Sequence, residues 1–291
     1  MPAMVNVNGR ISDEREAVIS VFDHGFLYGE GIYETLRTYN GRLFLFDRHL
    51  RRLRNSARMI KLALPFTDEE LARNISDTIA TTKLDGKEVY VRVLVTRGVG
   101  DLTYGLEATP KPSWVVIVKA LVAPPSEIYE RGCKVVLVDA VRNHPGSVNP
   151  MIKCNNLMNQ ALAAQQAFER GGFDGVMRNY RGELTEFATS NLFIVKNGAV
   201  LTPPLECGLL PGITREFIFE IGSNVGIEVR EQVLRDDDLF NADEAFLTST
   251  TREVVPVVAV NEKAIGTGNP GAITGKLLKT FRETARRADW K

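Results

Sequence analysis

The feature that most constrains this chain is a double-proline stretch of mixed charge, Leu121 to Gly132 (LVAPPSEIYERG). Prolines there break regular structure and mark a linker. The hydropathy pattern differs on its two sides. The expected organisation is a small N-terminal α+β domain at 1–120, a linker at 121–130 and a larger C-terminal domain at 131–291. In the first part, Asn40-Gly41 between two strand-like runs is a type I′ hairpin signal. Leu50, Leu53, Ala57 and Ile60 recur at helical spacing between Asp47 and Leu62, and Thr67-Asp-Glu-Glu70 is a capping box opening a second helix. Val89–Thr96 and Ser113–Ala120 read as strands. Beyond the linker come a strand at Lys134–Val138, helices at Asn155–Glu169 and Thr214–Asn224, strands at Ala245–Leu247 and Val254–Val258, and a basic terminal helix. A cleft between two such domains is the default place for a site.

With 291 residues the chain can bury a core without disulfide or metal staples. Its 36 Lys+Arg balance 36 Asp+Glu, so neither nucleic acid nor an anionic membrane is the expected partner. Any bound anion must be held by local geometry. Three cysteines lie far apart with no CxxC pair, and their odd number points to a reducing compartment. With only three histidines and no HExxH, no metal site is expected. The N-terminus lacks an apolar signal segment, and the longest apolar stretch, around Trp114–Val118, is strand length. A soluble, cytoplasmic protein is expected.

Two phosphate-loop look-alikes fail. GEGIYE at Gly29–Glu34 ends in Glu and precedes a strand rather than a helix. PGAITGKL at Pro270–Leu277 has Pro for the first Gly and Leu for the Ser/Thr. Five other segments carry chemistry. Lys153 follows an apolar Met-Ile pair at a loop-to-helix junction, where desolvation can make a lysine a nucleophilic amine; a solvated lysine is the plainer reading. Glu186, five residues before Asn191, is either a carboxylate able to pair with a ring nitrogen or a turn acid of a hairpin. Pro211-Gly212 leads into a helix whose Ile213 and Thr214 amides suit a phosphate, unless Thr214 simply caps it. Ser249, Thr250 and Thr251 form a hydroxyl-rich turn that would complete a phosphate cup. His49 and Arg52 share a helix face, and Arg52 either supplies the counter-charge or is a solvated surface arginine.

In this order, with Glu186, Asn191-Leu-Phe, Thr202 and Leu210-Pro-Gly-Ile-Thr-Arg215, the segments resemble the class IV aminotransferases, the fold-type-IV pyridoxal-phosphate enzymes, from about Val5 to Arg286. The resemblance implies a two-domain α+β fold like that of D-amino-acid aminotransferase, with the cofactor, pyridoxal 5'-phosphate, in the cleft between the domains. It implies that Lys153 carries the cofactor and shuttles the proton, and that Glu186 pairs with the pyridinium nitrogen. Arg52, Ile213, Thr214, Ser249 and Thr250 would hold the phosphate, with Leu210 against the ring. Tyr33 and Thr251 would face the substrate.

Within the family, Tyr90-Val-Arg92 resembles the substrate-side Tyr-x-Arg element of branched-chain enzymes, as do Thr96–Leu102 and Asn143–Lys153. Thr103-Tyr104 and Leu157 depart from that subgroup. The expected activity is transamination of small apolar amino acids with 2-oxoglutarate and glutamate as the partner pair, by a homodimer. D-amino-acid or (R)-amine transamination and aminodeoxychorismate lyase activity are the alternatives.

Overall fold

A computed structural model of the chain describes residues 2–84 and 86–287, so the last four residues of the expected second domain lie outside it. The chain divides into two compact units, 2–122 with Ile152–Asn156, and Ala123–Met151 with 157–287.

The first unit contains β1 (Met4–Val7), β2 (Arg10–Asp13), α1 (His24–Leu27), β3 (Gly31–Tyr39), β4 (Arg42–Leu43), α2 (Phe46–Met59), α3 (Asp68–Ala80), β5 (Val89–Thr96) and β6 (Ser113–Ala120). Its sheet runs β2-β1-β6-β5-β3-β4. The β3–β4 hairpin turns on Asn40 (φ 51°) and Gly41 (φ 72°), the two left-handed residues a type I′ turn requires. The capping box at Thr67 and Glu70 forms in both directions. On β5, Val89, Val91, Val93 and Val95 are buried, packing with Leu50, Leu53 and Ala57 of α2 and with Leu71 and Ile75 of α3. Tyr90, Arg92 and Leu94 alternate with those valines and so lie on the opposite face of the sheet.

The second unit holds α4 (Glu127–Arg131), β7 (Cys133–Leu137), α5 (Met158–Glu169), β8 (Gly175–Arg178), β9 (Leu184–Phe187), β10 (Asn191–Lys196), β11 (Ala199–Thr202), α6 (Ile213–Asn224), β12 (Val229–Glu231), α7 (Asp236–Phe240), β13 (Glu244–Ser249), β14 (Glu253–Val260), β15 (Lys263–Ala264) and α8 (Ala272–Ala285). β9 pairs with β8 and also, through Glu186 opposite Asn191, with β10. The order β10-β13-β14-β7-β8-β9 therefore closes on itself as a small barrel. β11 and β12 extend outward from β10, and α5 makes the crossover between the parallel strands β7 and β8. The core is apolar, built around Val135, Val176, Leu192, Leu247 and Val255.

Two expectations change. The linker contains α4, because Ile128 and Tyr129 pack against the core of the second unit. The helix expected from Asn155 starts at Met158, and Lys153 does not stand with the second half of the chain. Ile152–Asn156 instead add to the free edge of β3: Cys154 bridges to Ile32, Asn155 N donates to Gly31 O at 2.8 Å and Tyr33 N to Lys153 O at 2.9 Å.

Candidate active site

Backbone bonding fixes Lys153. Besides accepting from Tyr33 N, its own amide donates to Ser56 Oγ on α2 at 3.1 Å. Its Nζ lies 4.3 Å from the centroid of the Tyr33 ring, and the Arg92 guanidinium lies 4.2 Å from the same centroid. A lysine amine, an aromatic ring and a guanidinium are thus brought together in the first unit. Tyr90, two residues from Arg92 on the same face of β5, has Lys119 Nζ 5.1 Å from its ring.

Arg52 is no solvated surface arginine. It is buried on α2, and its Nε and Nη2 donate to Glu34 Oε1 and Oε2 at 2.7 and 2.8 Å. His49 Nδ1 stands 2.7 Å from Glu34 Oε2. Burial works to raise the Glu34 pKa, but Arg52 and then His49 outweigh it and hold the carboxyl well below its ordinary value. Burial pushes His49 below its ordinary 6.5 against the pull of Glu34. With Glu34 acting only as acceptor, His49 donates through Nδ1. Glu34 was missed in the sequence, although a signal existed: a charge at the middle of Ile32, Glu34 and Leu36, the buried face of β3, needs a partner.

In the second unit Glu186 is buried at the point where the barrel closes. Arg142 Nε donates to its Oε1 at 2.8 Å, while Leu210 N and Asn191 Nδ2 donate to Oε2 at 3.2 and 3.3 Å. Glu186 and Asn191 sit opposite each other in the β9–β10 hairpin, where the turn-acid reading puts them. Arg142, in a loop without periodicity, carried no sequence signal. Asn191 Nδ2 also donates to Leu210 O at 3.0 Å, and a Cβ at Gly212 would fall 1.9 Å from Asn191 Oδ1. Only glycine allows this close approach.

Gly212 is also the N-cap of α6, and no side chain caps that helix. Thr214 lies inside the first turn, so the capping alternative fails. The start of α8, in the rejected PGAITGKL segment, is a useful contrast. There the Glu244 carboxylate takes Ile273 N and Thr274 N at 3.0 and 2.8 Å, so a negative charge of the chain itself already stands where an anion would bind. The hydroxyl turn Ser249–Thr251 starts at the last residue of β13, whose Thr248 is paired with Asn191. Among the described residues Thr248 Oγ1 is buried without a hydrogen-bond partner. An uncapped helix start, an orphaned hydroxyl and a buried carboxylate within one barrel end suit a ligand carrying both a phosphate and a basic ring nitrogen, so the residues present fit pyridoxal phosphate. Among the described residues no group of three or more His, Cys, Asp or Glu could hold a metal ion, and no helix is long and apolar enough to cross a membrane.

Known proteins share this framework. A protein of Methanocaldococcus jannaschii provisionally named a branched-chain-amino-acid aminotransferase is 37% identical over 286 residues, covering 98% of this chain and 97% of that protein. The D-alanine aminotransferase of Bacillus licheniformis is 31% identical over 267 residues, covering 92% of each chain. The solved branched-chain amino acid aminotransferase of Thermobaculum terrenum, in its PLP-bound holo-form, is similar at a TM-score of 0.86 and 25% identity, covering 98% of this chain and 95% of that one. A family model described as amino-transferase class IV matches residues 31–260. That match starts at the first residue of β3 and ends at the last of β14, taking in every residue the sequence singled out for the site, and the chain belongs to the class IV aminotransferases.

Proposed function

We propose that this chain is a pyridoxal 5'-phosphate-dependent transaminase of small apolar, branched-chain-type amino acids, with 2-oxoglutarate and glutamate as the partner pair. One observation carries the reading: Lys153 Nζ and the Arg92 guanidinium lie 4.3 and 4.2 Å from the centroid of one ring, that of Tyr33. That spacing suits a substrate bearing an amine to be exchanged and a carboxylate to be held. The M. jannaschii relative supports the branched-chain assignment.

When bound, pyridoxal phosphate supplies the electron sink for the pair left at the substrate Cα. The protein's residues bind, orient and move protons. Arg52, the Ile213 and Thr214 amides and the Ser249 and Thr250 hydroxyls would hold the phosphate. Leu210 would lie against the ring, and Glu186 would keep a proton on the ring nitrogen. Lys153 Nζ would hold the cofactor and would serve as the base that takes the proton from the substrate Cα. A positioned general base of this kind contributes about 10²–10⁴-fold. Tyr33, Tyr90, Arg92 and Thr251 face the substrate.

The enzyme works as a homodimer in the cytoplasm. Exposed apolar side chains on the first unit, among them Val18, Val21, Phe22, Phe26, Leu102 and Tyr104, support a subunit interface there. The three free cysteines support a reducing compartment. Borohydride treatment followed by peptide mapping tests the lysine, and the expected adduct is on Lys153 alone. A spectrally monitored panel of L- and D-amino acids tests the substrate, with L-leucine, L-isoleucine and L-valine expected to convert the cofactor to its amine form. Conversion by D-alanine or (R)-amines instead would select the other transaminases. Pyruvate from aminodeoxychorismate without an amino acceptor would select the lyase.

A further inference from the structure

The hydroxyl turn after β13 is tied down by the side chain that follows it. Arg252 Nη2 donates to Ser190 Oγ at 2.6 Å, to Asp174 Oδ2 at 3.2 Å and to Thr189 Oγ1. Asp174 is itself buried, and its Oδ1 accepts from Gly175 N and Ala188 N at 2.9 and 3.2 Å. The anchor is therefore part of the barrel, not a surface partner. On the main chain, Arg252 O accepts from the Tyr129 hydroxyl at 3.1 Å. The next residue, Glu253, sits at φ 58° and is held by Arg282 Nε at 2.7 Å. A left-handed glutamate persists only where its surroundings enforce it.

Arg252 also acts on a hydroxyl within the turn. Ser249 Oγ accepts from both Arg252 N and Arg252 Nε at 3.3 Å. A hydroxyl has two acceptor lone pairs and one proton to give. With both lone pairs engaged, the Ser249 hydroxyl is left as a donor, and among the described residues no acceptor takes its proton. A phosphate ester dianion offers acceptors only, so a serine preset as donor matches it.

We propose that Arg252 is a positioning residue for the phosphate grip: it presets the Ser249 hydroxyl as a donor and, through Asp174, clamps the Ser249–Thr251 turn in place. This rests on the reading that Ser249 and Thr250 hold the cofactor phosphate. Arg252 acts through the turn and does not touch the cofactor.

The test compares the affinity of the full-length apoprotein for pyridoxal 5'-phosphate and for pyridoxal, which lacks the phosphate, by equilibrium titration. Arg252→Gln should weaken pyridoxal phosphate about tenfold, the loss of one well-formed hydrogen bond to a charged group, and leave pyridoxal unchanged. Arg252→Lys keeps a charge for Asp174 but cannot reproduce the bond to Ser249. It should fold like the parent and still lose phosphate-dependent affinity. Ser249→Ala should show the same selectivity, and combining it with Arg252→Gln should add little, because both remove one coupled interaction. Selective loss in Ser249→Ala with parental affinity in both Arg252 variants would overturn the role of Arg252 and keep the phosphate cup. No selective loss in Ser249→Ala or Thr250→Val would overturn the cup and the proposal together. Equal weakening of both ligands by Arg252→Lys would reduce Arg252 to general structural support and overturn the proposal.

Discussion

Replacing Glu34 with glutamine keeps the side chain's shape and removes its charge. In the native chain its two oxygens take Arg52 Nε, Arg52 Nη2 and His49 Nδ1 at 2.7, 2.8 and 2.7 Å. An amide offers one acceptor oxygen, and its NH2 group would face N–H groups of the guanidinium or the imidazole. Arg52 is only 7% exposed, so little water can replace the lost carboxylate. Breaking a buried pair from one side costs about 3–5 kcal/mol, which is on the order of 10 °C in the melting of a unit this size. The pH dependence provides a sharper test. Glu34 is held below its ordinary 4.5 in the folded state, so below that pH the unfolded chain binds a proton that the folded chain does not. Its stabilising contribution is complete above that value and falls by about 1.4 kcal/mol per pH unit beneath it, whereas the variant has no such group. Glu34 works against the depression of His49 below 6.5, so its loss would deepen that depression; both chains therefore carry His49→Asn, whose amide can still donate to residue 34 and which removes this titration from the difference. The stability gap between parent and variant should therefore be constant near neutrality and close in acid. Urea unfolding of the apoprotein from about pH 7 to about pH 3.5 measures it. Trp290→Phe in both chains leaves Trp114, in β6, as the only tryptophan, so fluorescence reports on the first unit. A gap that does not change with pH would refute the assignment of Glu34 as the charged partner of Arg52.

Two further outcomes check the second unit. Glu186→Gln should retain the cofactor yet slow transfer of the Cα proton by about 10²–10³-fold, as for other removed electrostatic partners; single-turnover kinetics with Cα-deuterated substrate should show a large isotope effect, and a near-parental rate at full occupancy would remove Glu186 from the ring nitrogen. Burial pushes the Cys133 and Cys207 thiols up to about 12 and about 11, while Cys154 is partly exposed; a thiol-reactive chromophore at about pH 8 should therefore modify Cys154 alone in the native protein, and fast labelling of either other thiol would contradict the packing around it.

Legibility from sequence followed the range of the interactions involved. β5 is readable to the residue because its alternating valines state their own period, β6 because a continuous apolar run of strand length marks it, and the Asn40-Gly41 turn and Thr67 capping box because all their partners are within a few residues. The helix expected from Asn155 takes in residues next to Lys153 that instead join a strand edge. Their local propensity was overridden by an edge of β3 that lies more than a hundred residues earlier in the chain, at Gly31 to Tyr33. The family resemblance named Lys153 and Glu186 without showing what holds them. Glu34 was readable in principle, since a lone charge on the buried face of β3 and an Arg and His on the buried face of α2 each demand a partner. Arg142 and Arg252 were not. Each lies outside any periodic element, and the carboxylates that take them, Glu186 and Asp174, are 44 and 78 residues away. A loop arginine has no pattern of its own; only the acceptors around it distinguish a solvated charge from one that fixes the shape of a site. For Arg252 those acceptors include a buried aspartate and the lone pair of a serine in the hydroxyl turn, and that second contact is why its removal should be felt in phosphate affinity as well as in the fold.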